Sequence, residues 1–255
     1  MKIVHEIDAT IGIPLYNSSP IFWLCLESLC RQLTGYTWEV VICEDPSEKF
    51  CGEEYIAPYA SRLTKAGCVN IKYLSLDKWV PLGDKWIHIA KNSMGENFIL
   101  TAADDYCSPD RITRSCDALS QKNIRWIDSK NILYYNLLTG KTMYLNIPDP
   151  WSGVFMSTKT KPLSEIRPIG KKSGVDNWLR KQLKINEHNR LSIEPSFLGL
   201  NTDGFNNISS DRRNAYKSLS PSAAGEYIPI RPEYTISDVL PDDIHKKLLQ
   251  FIIKI

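Results

Sequence analysis

The feature that most restricts how this chain can fold is an alternation of short apolar runs with helical segments. The runs are Ala9–Leu15 (ATIGIPL), Trp38–Cys43 (WEVVIC), Asn70–Leu76 (NIKYLSL) and the run from Asn97 that ends at Asp104. Between them lie segments with helical spacing. Pro20–Leu33 carries Ile21, Leu24, Leu29 and Leu33 on one face, with Ser19 as N-cap and Pro20 at the first helical position. A second helix is expected between Cys51 and Lys65, ended by Gly67, and a third over Asp84–Ser93, after which Gly95 leads into the next strand. Strand and helix alternating at this spacing specify an α/β fold. Its mainly parallel sheet is covered on both faces and has right-handed crossovers.

In such sheets ligands bind beyond the carboxyl ends of the strands, and polar residues collect there. The first strand is stopped by Pro14 and the loop Tyr16-Asn17-Ser18-Ser19; the second runs into Glu44, Asp45 and Pro46. The fourth, NFILTAADDYCSPDR, runs through Ala102 and Ala103 into Asp104 and Asp105. Two carboxylates about 4 Å apart at an effective dielectric of about 20 repel by roughly 4 kcal/mol, so a proton or a cation is called for. A hard divalent ion held by one or two carboxylates plus phosphate oxygens meets that need. The alternative is a solvated turn in which Asp105 and Ser108 cap the helix that Pro109 opens.

The second half has a different texture. After a helix over Arg111–Leu119 come a strand (Ile124–Asp128), a hairpin (Ile132–Leu138 and Lys141–Leu145, turning at Thr139-Gly140) and a short strand, VFMS. Lys159 to Lys172 reads as a loop, a helix starts at Gly174 and runs to about Lys184, and Leu191–Glu194 is a strand. A polar loop, LNTDGFNNISSDRR, and an irregular tail with a short terminal helix complete the chain. The expected layout is one domain over residues 1–215, with a ligand-binding half at 1–106 and an acceptor-side half at 107–215, followed by a tail at 216–255.

Composition excludes several classes. Lys and Arg number 31 against 29 acids, a formal charge of +2, which is no footprint for obligate nucleic-acid binding. The seven cysteines include no Cys-x-x-Cys pair and read as reduced thiols, not a disulfide or zinc framework. No apolar run reaches the roughly 20 residues of a membrane helix, and MKIVHEID lacks the apolar core of a signal peptide. A soluble, cytoplasmic protein is expected. The four His residues are too scattered for a metal cluster, and no P-loop motif is present.

Four stretches, taken in order, resemble the family 2 glycosyltransferases of the GT-A fold. IGIPLYNSS is similar to that family's first strand and Pro-Thr-Tyr-Asn loop, and VVICEDPS to its second strand and Asp-Asp-Gly-Ser turn. LGDKWIHIAKNSMGENFILTAADDY resembles an Ala-x-Asn-x-x-x-Gly helix (here Ala90, Asn92 and Gly95, one residue tighter) followed by the Asp-x-Asp strand. GVDNWLRKQL resembles the Glu-Asp-x-x-Leu helix start that supplies a catalytic base. The resemblance implies a GT-A sheet flanked by helices with a smaller antiparallel portion. It also implies an inverting enzyme that moves a sugar from a nucleotide-diphosphate sugar, UDP-linked by family habit, to the hydroxyl of a glycan or other acceptor.

By the same resemblance, Pro14, Tyr16, Asn17, Glu44, Asp45, Lys85 and Asp104 contact the donor, Asp104 and Asp105 hold Mn²⁺ or Mg²⁺, and Asp176 is the general base. Lys85, Arg212 or Arg213 could assist the leaving diphosphate, Trp151 and Trp178 could face the acceptor or pack in the core, and the loop Asn201–Arg213 could close over the donor. The chain departs from the pattern at Ala102, where an acid is usual, at Glu44 and at Val175, and no late His completes the metal set, since His188 lies too early. Two other readings stand beside this one: a degenerate, non-catalytic nucleotide-sugar-binding module and a sugar nucleotidyltransferase. Modified DNA as acceptor is a further possibility that the near-neutral charge disfavours.

Overall fold

The computed structural model describes residues 7–17, 20–129, 131–136, 141–146, 154–170, 174–193, 197–201 and 240–253. The expected alternation is there. Strands β1 (Ala9–Leu15), β2 (Trp38–Glu44), β3 (Cys68–Ser75) and β4 (Asn97–Leu100) are interleaved with helices α1 (Phe22–Leu29), α2 (Ala60–Lys65) and α3 (Leu82–Lys91). β1 lies between β2 and β4 and is parallel to both, and β3 adds in parallel at the edge. On the other side of β4 come β9 (Val154–Lys159), antiparallel to both neighbours, then β6 (Trp126–Ser129) and β10 (Arg190–Ser192). The order is β10-β6-β9-β4-β1-β2-β3.

Period-two alternation sends β-strand side chains to two separate cores. Ile11, Ile13, Val40, Ile42 and Ile99 join Phe22, Leu26 and Leu29 of α1, Leu63 of α2 and Ile112 of helix α4 (Arg111–Ser120). Val41, Cys43, Phe98, Leu100 and Trp126 face the other way. They meet Trp86, Ile87 and Ile89 of α3, Leu163 of α5 (Thr160–Ser164) and Val175, Trp178 and Leu179 of α6 (Val175–Gln182). Every residue of β2 and of α1 is buried, including Glu39 and Glu44 of β2 and Glu27 and Ser28 of α1.

A second sheet, in the order β5-β11-β7-β8, is formed by β5 (Asp105–Cys107), β7 (Asn131–Asn136), β8 (Lys141–Asn146) and β11 (Phe197–Asn201). The antiparallel β7–β8 pair is the expected hairpin; its turn at Thr139-Gly140 lies outside the described residues. Helix α7 (Asp242–Ile253) closes the chain against α1: Leu240, Ile244 and Leu248 are buried, and Lys247 lies 4.6 Å from the Trp23 ring centre and 3.3 Å from Glu27.

Several local expectations are corrected. α1 begins at Phe22 with Ile21 at the cap position, not at Pro20. The second helix is only Ala60–Lys65, preceded by single 3₁₀ turns at Glu53–Tyr55 and Ala57–Tyr59, because Pro58 lacks an N–H donor for an α-helical interior. Thr160–Ser164, read as loop, is helical. Phe197–Asn201 is a strand that composition did not reveal, and Asn201 ends it instead of opening a loop. All seven cysteines are free thiols, and no helix among the described residues is long and apolar enough to cross a membrane.

Candidate active site

The carboxyl ends of β1, β2 and β4 form one edge. Leu15 pairs with Glu44, whereas β4 stops at Leu100, opposite Gly12, and Thr101 donates its N–H to the Gly12 carbonyl at 3.1 Å. The chain then runs through Ala102 and Ala103 to Asp104, after which Asp105 enters the second sheet, paired with Gly199 of β11. Asp104 is therefore the residue at the joint between the two sheets. Asp105 is a strand residue and caps no helix, which removes the capped-turn alternative; α4 starts at Arg111, with Asp110 at the cap position.

Burial and the neighbouring Asp104 charge push the Asp105 carboxyl well above the usual carboxylate range, and the Arg111 guanidinium only partly offsets this. A divalent cation beside these carboxyls would favour the ionised form of Asp105. Among the described residues no group of three or more His, Cys, Asp or Glu gathers. Asp104 and Asp105 are the carboxylates that would hold a cation here. Phosphate oxygens and water, the hard ligands that Mg²⁺ and Mn²⁺ accept, would supply the rest, so the donor set fits.

The loop after β1 is braced against the loop after β2. Asn17 has a left-handed backbone (φ 52°), which Asn tolerates better than most residues. Its N–H donates to Ser47 Oγ and its Oδ1 accepts from the Lys49 N–H, each at 3.3 Å. Tyr16 is 42% exposed at the rim, and Pro14 is half-buried within β1.

Glu44 and Asp45 are sealed beneath that rim. Glu44 accepts from the N–H groups of Cys51 (2.9 Å) and Gly52 (3.1 Å) and from the Tyr73 hydroxyl (2.6 Å). Asp45 accepts from the Val80 N–H at 2.9 Å and from Lys85 Nζ at 2.6 Å. Lys85, itself buried in α3, also donates to the Leu15 carbonyl at 2.8 Å and lies 6.0 Å from the Tyr16 ring centre. Lys85 thus ties α3 to the ends of β1 and β2, and Asp45 fastens the segment before α3.

Asp176 lies in the first turn of α6, half-buried, behind Gly174 with its left-handed φ of 57°. Val175 and Trp178 are buried in the same core as Trp86 and Leu100, which anchors the start of α6 against α3 and the end of β4. Burial accounts for an apolar residue at 175, and Trp178 belongs to the core. Trp151, Arg212 and Arg213 lie outside the described residues, as does the loop that follows Asn201.

Two residues passed over in the sequence hold this arrangement. Asp84, next to Lys85, accepts from the N–H groups of Ile169 (3.0 Å) and Gly170 (2.8 Å), tying α3 to the segment that leads into α6. Its only signal was an acid in a helical first turn, which the helix dipole alone would explain. Glu39, buried in β2, accepts from Thr10 Oγ1 at 2.7 Å and from the Gly95 N–H at 3.1 Å. The Ala90, Asn92 and Gly95 signature marks the end of α3: Ala90 is buried, Asn92 is the C-cap, and Gly95 crosses directly over the β1 backbone.

The family model described as glycosyl transferase family 2 matches residues 10–151. The chain belongs to this family. The match starts within β1 and takes in Asp45, Lys85, Asp104 and Asp105. Solved structures share the fold. TarS from S. aureus (residues 1–349) in complex with UDP-GlcNAc is 17% identical with a TM-score of 0.60, over 78% of this chain and 60% of that one. The mannosyltransferase PcManGT from Pyrobaculum calidifontis, in complex with GDP-Man and Mn²⁺, is 10% identical with a TM-score of 0.56, over 97% of this chain and 73% of that one. The family 2 chain described here therefore has the GT-A fold, and it spans about 60% of the length of that TarS chain. A search of curated protein sequences returned no match.

Proposed function

We propose that this family 2 chain is an inverting glycosyltransferase. It moves a sugar from a nucleotide-diphosphate sugar, UDP-linked, to the hydroxyl of a glycan or other acceptor. The observation that carries this reading is Asp104 at the joint of the two sheets, beside strand ends braced by Lys85. In a chain of this family, that edge is where a nucleotide diphosphate belongs. Solved structures with the same fold are complexes with UDP-GlcNAc and with GDP-Man.

The roles follow from the chemistry. Tyr16 and Asn17, with Pro14 behind them, receive the nucleoside; Glu44 and Asp45 serve it through the loops they hold. Asp104, with Asp105, holds a divalent cation, Mn²⁺ or Mg²⁺, that would neutralise charge on the departing diphosphate. Lys85 spends its charge on Asp45 and acts by fixing the strand ends. Asp176 accepts the proton of the acceptor hydroxyl as that oxygen attacks the anomeric carbon. Attack on the face opposite the leaving group inverts the centre.

The test is transfer and donor hydrolysis across a panel of nucleotide-diphosphate sugars with Mn²⁺. Wild type is expected to consume one of them, and Asp104→Ala to lose at least a hundredfold in rate. Tight nucleotide-sugar binding without any turnover would instead assign a binding module. Conversion of a nucleoside triphosphate and a sugar 1-phosphate into pyrophosphate would assign a nucleotidyltransferase.

A further inference from the structure

At the opposite edge of the main sheet a cleft of about 610 Å³ opens between the start of β6, the end of β9, α5 and the C-terminal end of α6. Lys159, on its wall, pairs with Asn97, the first residue of β4, whereas Asp104 lies past the last. The cleft is thus distinct from the donor crevice. We propose that it is a second binding site, for a small phosphorylated organic molecule.

Charge is the first argument. Arg125, Arg167 and Lys184 line the cleft, and no carboxylate pairs with any of them among the described residues. The fourth cation, Lys159, is occupied by Glu96 at 2.7 Å and Asn97 at 2.9 Å. Against the three stand one lining carboxylate, Glu165, and the partial negative charge at the end of α6, so a positive excess remains. Shape and lining are the second. Ile166, Leu183 and Ile185 add apolar side chains to the lining, and a cleft of this volume holds a small organic molecule, not only an ion.

Backbone strain is the third argument. The described non-glycine residues with positive φ are Asn17, in the donor loop, and Asn123 (φ 77°) and Lys184 (φ 54°). Asn123 and Lys184 both line a pocket that shares Arg125 with this cleft. Lys184 follows the end of α6, where glycine would be the least strained residue. The chain nonetheless carries lysine there, and Asn189 braces the turn by donating from Nδ2 to the Lys184 carbonyl at 3.2 Å. The Lys184 and Ile185 N–H groups close the helix on the Lys181 (3.1 Å) and Arg180 (2.9 Å) carbonyls, so the backbone of this cleft-lining lysine is fixed by the cap.

The test uses the full chain in EDTA, titrated by calorimetry with inorganic phosphate, with adenosine and with adenosine 5′-monophosphate. The monophosphate is expected to bind at least tenfold more tightly than either of its parts. Arg125→Glu combined with Lys184→Glu should weaken that binding at least tenfold. Lys184→Gly is the second variant: it should raise the melting temperature by relieving the left-handed backbone, yet weaken the same binding. Phosphate binding as tightly as the monophosphate would remove the organic part of the proposal, and adenosine binding as tightly would remove the anion. Binding that is absent, or untouched by both variants, would overturn it altogether.

Discussion

Lys85 Nζ and Asp45 Oδ1 lie 2.6 Å apart with their side chains 4% and 0% exposed, so a full ion pair is sealed beneath the edge where β1 and β2 end. Its partners are all fixed: the Leu15 carbonyl, the Val80 N–H and each other. A buried pair of this kind stabilises little relative to an apolar pair of equal volume, but breaking it strands a charge.

Lys85→Met alone should therefore destabilise the chain by about 3–5 kcal/mol, as should Asp45→Leu alone, whereas the double variant should recover most of the loss. Urea denaturation of the three variants measures this. Single variants within about 1 kcal/mol of wild type would show that the pair is not holding the strand ends.

Asp176→Asn should lower kcat by roughly 10² to 10⁴ while the dissociation constant for UDP with Mn²⁺ stays as in wild type, since the base acts on the acceptor and not on the donor. A matched loss of UDP affinity would move Asp176 from the acceptor side to the donor site.

Glu27 predicts an acid limb in stability. Its carboxyl is held below the usual range first by hydrogen bonds from the Arg62 guanidinium, and in addition by the charges of Arg62 and Lys247, against an opposing effect of burial. A depressed folded-state pKa contributes stability that is present above the unfolded value of about 4.3 and is lost as pH falls through the folded value. The melting temperature should accordingly drop as the solution is acidified below about pH 4.3, and Glu27→Gln should flatten that limb. Since Lys247 lies on α7, the limb should also shrink when the chain is truncated before residue 242. An acid limb of unchanged slope in Glu27→Gln would assign it to other carboxyls.

Gly95→Ala should be poorly tolerated. A Cβ there would sit 2.4 Å from the Ala9 carbonyl carbon and 2.5 Å from the Thr10 nitrogen, both main-chain atoms of a central strand. Overpacking of this type costs on the order of 1–3 kcal/mol, and a backbone obstacle cannot rotate away. The expected result is a thermal midpoint several degrees lower; an unchanged midpoint would mean that the strand yields.

Much of this was legible along the chain because it is local. β1 spans the apolar run read for it, and Gly67 ends α2 with a φ of 95° that suits glycine, because strand period and turn chemistry act over a few residues. β11 was not legible. Its partners are β5 and β7, and a short strand that exists by pairing has no period of its own to display. The division of labour between neighbouring acids was hidden for a related reason. Glu44, Asp45 and Asp84 read alike as carboxylates at element ends, and only the structure shows Glu44 held by the Cys51 and Gly52 N–H groups and the Tyr73 hydroxyl, Asp45 by Lys85, and Asp84 by the Ile169 and Gly170 N–H groups.

The sequence by itself determined the α/β alternation, the two-faced sheet and the collection of acids at strand ends, since each follows from side-chain period and backbone propensity. Tertiary structure decided which end of the sheet each charge occupies. Lys85 is withdrawn into a buried pair at one edge, while Arg125, Arg167 and Lys184, scattered along the chain, converge at the other, where no carboxylate pairs with any of them among the described residues. The physical reason is that Coulomb interactions and burial depend on distance in space, and chain order does not fix that distance until the strands are paired.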